Sequence, residues 1–133
     1  MCAMRLAAFG CLVALGCSSG NEPDPPPSVV QSESGALEAE LIKPSAVERG
    51  ANRFELALRD ASTGAAAAGL EVSVVPFMPA MGHGSGVSPE VSTLAEGHYE
   101  CTQVLLNMAG RWQLRTTISG ARSDYVAFEV DVP

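Results

Sequence analysis

Positive charge is scarce in this sequence, and its scarcity excludes one broad class of function. The 133 residues contain eight lysines and arginines against fifteen aspartates and glutamates, which gives a formal net charge of −7 at pH 7. The basic residues form no patch along the chain. Because nucleic-acid binding needs a concentrated positive surface to neutralise phosphates, we expect no nucleic-acid partner.

The groups that catalytic sites use are also few. The chain has two histidines and no convincing pair of acidic residues. The glycine-rich stretch 82–86 (GHGSG) lacks the lysine of a phosphate-binding loop. It also lacks the glycines that flank a nucleophilic serine, since His83 and Val87 stand two residues either side of Ser85. We therefore expect no enzyme, and we expect the dispersed acidic residues to form a solvated surface rather than a calcium site.

The apolar run near the start is too short to span a bilayer, which needs about 20 apolar residues. This run, Leu6–Gly16, has eleven residues and follows Arg5, a pattern typical of a secretory signal peptide. The small residues before Cys17 resemble the bacterial lipoprotein signal, in which residues 1–16 are removed and Cys17 is lipidated. Ordinary cleavage without lipid is the alternative. Ser18 after the cysteine favours the outer membrane of a Gram-negative cell, with the protein facing the periplasm.

Residues 17–35 are predicted to be the lipidated cysteine followed by a disordered tether. Ser, Pro, Gly and acidic residues dominate this stretch, so it cannot bury enough apolar surface to offset its chain entropy. The lipid would make the membrane a partner and hold the rest of the chain off its surface. Cys2 and Cys11 leave with the signal peptide, and Cys101 alone remains beyond the tether. No internal disulfide is expected.

Residues 36–133 are predicted to form one all-β domain. Apolar and polar residues alternate in seven short runs separated by turn signals, at 36–44, 52–60, 70–77, 89–95, 98–106, 111–119 and 124–132. Seven short strands in about 100 residues predict an immunoglobulin-like antiparallel β-sandwich, with Trp112 as a core anchor. The alanine-rich stretch 63–69 is too short to hold a helix and is predicted to be a loop.

The alternation slips by one residue in the fifth run. Tyr99 and Cys101 share one face, whereas Val104 and Leu106 resume the apolar pattern on the opposite parity. A β-bulge near Thr102–Gln103 produces such a slip. It would also make Cys101 a buried core thiol.

Two methionines and a histidine lie within six residues, at Met78, Met81 and His83. Thioether sulfur suits Cu(I), and imidazole suits both Cu(I) and Cu(II). Pro79 and the neighbouring glycines shape a loop that can turn the three side chains to one point. Methionine also fills irregular gaps in cores, so a packed turn without metal is the alternative at this stage.

Strand order adds a fourth candidate ligand. If consecutive strands run antiparallel, the third and fifth predicted strands end at the same pole of the sandwich. Met108 then lies beside the loop that carries Met81 and His83. His98 begins the fifth strand at the opposite pole and is a poor ligand. The candidate copper site is therefore Met78, Met81, His83 and Met108.

Three motifs in the chain resemble the YtkA-like domain. They are a Met-Pro-x-Met-x-His turn at Met78–His83, a Gly-x-Tyr strand start at Gly97–Tyr99 and a Met-x-Gly-x-Trp turn at Met108–Trp112. The resemblance covers roughly residues 37–132. It implies an immunoglobulin-like sandwich in an exported or membrane-tethered protein. It also implies a link to copper, because the family is similar to FixH-type proteins of cation transport and oxidase assembly.

The chain departs from that pattern by one extra residue between Tyr99 and Met108, and by Cys101 where a small apolar residue is usual. Two functions follow as hypotheses. The first is an envelope-anchored lipoprotein that binds Cu(I) or Cu(II) for copper handling or delivery. The second is a metal-free immunoglobulin-like module on a membrane tether that binds another envelope protein.

Overall fold

The computed structural model describes residue 26, residues 28–44 and residues 46–133. The predicted signal peptide, Cys17 and the first part of the predicted tether lie outside these residues. The described residues form no helix long and apolar enough to cross a membrane. They form nine strands: β1 (Val29–Gln31), β2 (Leu37–Ile42), β3 (Gly50–Asp60), β4 (Leu70–Met78), β5 (His83–Gly84), β6 (Glu90–Ala95), β7 (His98–Leu106), β8 (Gly110–Gly120) and β9 (Asp124–Val132).

The strands pair into two antiparallel sheets that form a sandwich. One sheet has the order β1–β2–β3–β7–β6 and the other has the order β5–β4–β8–β9. Without β1 and β5, these orders match the ABED and CFG sheets of a constant-type immunoglobulin domain. The predicted fold class is confirmed, while the strand count rises from seven to nine. The two added strands have three and two residues, too few to show an alternation in sequence.

The core lies between the sheets, and the period-two alternation decides which side chains enter it. On β3, Phe54, Leu56 and Leu58 point inward while the residues between them stay at the surface. Each fully buried side chain of this size stabilises the fold by about 1.5–3 kcal/mol. Trp112 has no exposed surface and is among the largest buried side chains, which confirms it as a core anchor.

The predicted bulge is present in β7. Asn52 of β3 pairs with Val104, and Phe54 pairs with Cys101, so two residues of β7 stand opposite one residue of β3. Gln103 has a φ of 56°, in the left-handed region that bulges can require. The apolar residues on both sides of the bulge therefore face the core. Cys101 is a buried free thiol, and burial together with the charge of Glu100 raises its pKa to about 11.

A buried hydrogen bond joins the two sheets at the pole where β4 and β7 begin. The hydroxyl of Tyr99 on β7 donates to the carbonyl of Leu70 on β4 at 3.0 Å. Gly97, just before this strand, has a φ of 69°, and a Cβ there would lie 2.7 Å from the carbonyl oxygen of Leu58. The Gly-x-Tyr motif therefore has a structural role, since only glycine fits the turn that places Tyr99.

The predicted tether is wrong in its last residues, because the chain is already part of the fold from Ser28. β1 pairs with β2, and the amide of Glu33 donates to the carbonyl of Tyr125 at 2.8 Å. The hydroxyl of Ser34 donates to the carboxylate of Asp124. The amino-acid composition of this segment could not predict that it pairs with the domain. A short segment without its own core can still be held by backbone hydrogen bonds to an existing sheet edge.

Asp124 accepts hydrogen bonds from Ser34, a contact that we call the clamp. The clamp gives a prediction about how stability depends on pH. Partial burial raises the pKa of Asp124, but hydrogen bonds from Ser32, Ser34 and the amide of Tyr125 outweigh it and hold the pKa at about 2. A folded-state pKa below the ordinary value of about 3.9 means that the ionised form stabilises the fold above about pH 4. That contribution is lost as the pH falls toward 2. We expect Asp124→Asn to destabilise the chain at pH 7 by about 1 kcal/mol, a value that allows for solvent screening.

Urea unfolding at pH 7 and pH 3 measures the stability lost in Asp124→Asn. That loss should be smaller at pH 3. Amide exchange at Glu33 should accelerate in the variant. Glu71→Gln is the matched control, since the Glu71 carboxylate forms no salt bridge within residues 28–44 and 46–133. An equal loss at both pH values, or unchanged protection of Glu33, would contradict the clamp.

Candidate metal centre

Two connecting segments meet at one end of the sandwich, which we call the loop pole. They are the loop 79–82 between β4 and β5 and the turn 107–109 between β7 and β8. β4 and β8 are neighbours in the sheet, with Phe77 paired to Gln113. A Cβ built on Gly110 would lie 2.7 Å from the terminal methyl carbon of Met78. The side chain of Met78 therefore lies against the start of β8, and the two segments meet as the strand order predicts.

Local hydrogen bonds close the hairpin that carries Met81 and His83. The carbonyl of Met78 accepts the amides of Met81 at 3.1 Å and Gly82 at 3.0 Å. Pro79 suits the first corner of such a turn because its φ is preset. Gly82 takes a φ of 68°, which glycine adopts without strain. The chain then returns so that His83 pairs directly with Met78.

Met81 and His83 are the two exposed members of the predicted ligand set. Met81 is 51% exposed, and His83 is also exposed. The Nδ1 atom of His83 lies 3.0 Å from the carbonyl oxygen of Gly84. Because a carbonyl oxygen only accepts, Nδ1 carries the proton in the neutral ring and Nε2 presents its lone pair. Metal-binding histidines commonly show this arrangement, with the second ring nitrogen bonded to a carbonyl.

Met78 and Met108 are the two inward members. Met78 is 4% exposed and belongs to the core. Met108 is half-buried and packs against the core, while its carbonyl accepts the indole N–H of Trp112 at 3.0 Å. The structure therefore gathers the four residues at one pole but divides them into an exposed pair and a packed pair. The Met-x-Gly-x-Trp motif has a structural role of its own here.

The remaining candidate groups lie elsewhere. His98 sits at the start of β7, opposite Ala57, and its Nε2 is 3.5 Å from a carboxylate oxygen of Glu55. Cys17, the predicted lipidation site, lies outside the described residues. Within residues 28–44 and 46–133, no group of three or more His, Cys, Asp or Glu side chains could hold a metal ion. The four candidate ligands at the loop pole offer thioethers and one imidazole.

An open cleft beside Met78 contains residues that sequence reasoning missed. Its apolar wall includes Pro79 and Ala109, and its polar rim includes Gln113, Arg111 and Glu129. Arg111 and Glu129 lie 3.5 Å apart. The alternation of β8 and β9 marks these polar residues as outward-facing. The sequence does not reveal that strand pairing brings them beside the loop.

Packing between Met78 and Gly110 gives a second prediction. Gly110→Ala places a Cβ against the Met78 side chain and forces a φ of 125° on alanine, whereas Gly50, with a φ of 109°, has nothing within 4 Å of the same position. We expect Gly110→Ala to lower the free energy of unfolding by up to about 1 kcal/mol more than Gly50→Ala, because the terminal methyl of the buried Met78 must move to admit the added carbon.

Urea unfolding measures both variants. Combining Gly110→Ala with Met78→Ala tests the contact itself, and the two changes should couple by about 1 kcal/mol, since the smaller side chain relieves the clash. Equal costs for the two glycine variants, or strictly additive effects in the double variant, would show that Met78 does not pack on Gly110.

Comparison with known proteins identifies the family of the chain. No curated protein and no solved structure matches the chain. The model of the family described as YtkA-like matches residues 31–117, which include the hairpin Met78–His83 and the turn before Trp112. That match spans more than half of the 133 residues. The chain therefore belongs to the YtkA-like family.

Proposed function

We propose that this protein is an envelope-anchored lipoprotein that binds copper at the loop pole for copper handling or delivery. Its ligands would come from Met78, Met81, His83 and Met108. The observation that carries the proposal is the orientation of His83. The carbonyl of Gly84 accepts a hydrogen bond from Nδ1–H, so Nε2 of the exposed ring keeps its lone pair, two residues from the thioether of Met81.

The donor set suits copper in either oxidation state. A thioether is a soft neutral donor that favours Cu(I), and imidazole holds both Cu(I) and Cu(II). Met81 and His83 are exposed and would meet the ion first. Met78 and Met108 lie at the same pole, and the three rotatable bonds of methionine give their sulfur atoms freedom to turn toward it.

The anchoring part of the proposal depends on residues outside those described. Cys17 would carry the lipid in the outer membrane of a Gram-negative cell and face the periplasm. Since Ser28 and the residues after it are part of the fold, the proposed tether shortens to 18–27. Such a segment reaches roughly 15–30 Å. The protein would then stay close to the membrane surface, within reach of another envelope protein.

A metal-free interaction module is the second candidate. The observation that favours it is the burial of Met78, whose side chain packs on Gly110 beside the cleft with the apolar wall. In that function Met78 and Met108 are packing residues, and the cleft with the exposed Met81 contacts the partner.

Titration of Cu(I) into residues 18–133, which lack the thiols of Cys2, Cys11 and Cys17, against a competing chelator and without oxygen tests the copper proposal. We expect binding at sub-micromolar free copper. Replacing the exposed donors together, with Met81→Leu and His83→Gln, should weaken the affinity at least tenfold, which corresponds to about 1.4 kcal/mol. His98→Gln is the matched control and should bind as the wild type does. A chain that cannot take Cu(I) from the chelator, or a double variant with unchanged affinity, would rule the site out.

Met78→Leu separates ligation from packing. Leucine nearly conserves the volume of methionine, so the free energy of unfolding should change by less than about 1.5 kcal/mol. The substitution removes the sulfur, so a ligating Met78 requires weaker Cu(I) binding in the variant. Unchanged affinity would assign Met78 to the core and restrict the site to the remaining three residues.

A further inference from the structure

The outer face of the four-stranded sheet carries an arginine that is held in place without being neutralised. Arg115 on β8 is half-buried, and its guanidinium lies 3.7 Å from the ring centre of Phe77 on β4. Its Nε and Nη2 atoms both donate to the side-chain oxygen of Gln113, at 3.2 Å each. Arg115 forms no salt bridge with any residue in the described part of the chain.

The neighbouring strands explain why this charge has no partner. In the sheet register, Arg115 stands between Val75 of β4 and Ala127 of β9. The nearest outward carboxylate on β9 is Glu129, one pair further along, and it lies 3.5 Å from Arg111 instead. An aromatic ring and an amide therefore hold the guanidinium, and neither cancels its charge.

Most other arginines of the described residues are placed differently, and Arg49, which also forms no salt bridge there, is exposed with no aromatic ring or side-chain amide holding it. Arg53, Arg59 and Arg122 each form a salt bridge with an acidic side chain. Arg115 keeps its charge free in a chain whose net charge is −7. Stacking and the two bonds to Gln113 fix the plane of the guanidinium, so little side-chain entropy remains to be lost when it binds a ligand.

Two apolar side chains of β4 flank Arg115. Val75 is 52% exposed, and Phe77 is partly exposed on the same face. Arginine and aromatic residues are enriched at the centres of protein interfaces. Three of the five N–H groups of Arg115 are left after the two bonds to Gln113, and one on each terminal nitrogen suffices for a bidentate bond to a carboxylate.

We propose that Arg115, Phe77 and Val75 form a docking patch for a partner protein that presents an Asp or Glu side chain between aliphatic residues. The carboxylate accepts two hydrogen bonds from the guanidinium. The aliphatic neighbours cover Val75 and exclude water from the ion pair. This patch lies on the sheet face rather than at the loop pole, and the proposal does not depend on copper binding.

An NMR titration of the isotope-labelled full chain with two capped pentapeptides tests the patch. One probe is Thr-Val-Glu-Val-Thr, and the other has glutamine in place of glutamate. Because the net charge of −7 disfavours anions at long range, a preference for the glutamate peptide reports a local site. We expect it to bind about tenfold more tightly than the glutamine peptide. The amide shifts should change most at Val75, Phe77 and Arg115.

Arg115→Met should abolish the preference for glutamate. Arg53→Met is the matched control, since Arg53 is an exposed arginine on the other sheet, and it should keep the preference. Arg115→Lys retains the charge but not the planar fork, so an intermediate preference is expected. The proposal fails if the glutamate peptide does not bind at millimolar concentration or binds no better than the glutamine peptide. It also fails if the preference survives Arg115→Met, or if the shifts map to the other sheet.

Discussion

The structure depends most on the complete burial of Trp112 between the two sheets. Its ring packs fully within the core. Its single polar group, the indole N–H, needs a hydrogen-bond acceptor, because an unpaired buried donor destabilises the fold. The carbonyl of Met108 accepts that hydrogen bond, which fixes the turn before β8. This turn places Gly110, and Gly110 leaves the space in which the side chain of Met78 lies. One core residue thus organises the end of the sandwich where the candidate ligands gather.

Much of the fold could be predicted from sequence because it depends on local alternation. The seven longer strands follow from period-two patterning, and the bulge near Gln103 follows from a single slip in that pattern. β1 and β5 could not be predicted in this way, since their positions are set by pairing with β2 and β4. The clamp between Ser34 and Asp124 is likewise tertiary, because it joins residues 90 positions apart in the chain.

The candidate site was only partly predictable, for a specific reason. Sequence reasoning ended the third predicted strand at Phe77 and treated Met78 as a loop residue. The inward positions Leu70, Val74 and Met78 share one parity, so extending the alternation by one residue would have placed Met78 in the core. The orientation of the His83 ring has no sequence signal, because it depends on one backbone carbonyl of the folded hairpin.

At the loop pole, one set of residues stabilises the structure and another set offers the exposed candidate ligands. Met78, Gly110 and Trp112 hold the pole together, while Met81 and His83 face solvent. The proposed copper site requires that the hairpin leave the lone pair on Nε2 of His83 free to bind a metal. Long-range proton–nitrogen NMR of the full chain above pH 8, where imidazole is neutral, tests it most directly. We expect His83 to carry its proton on Nδ1, and a ring protonated on Nε2 would contradict the proposed role of this histidine.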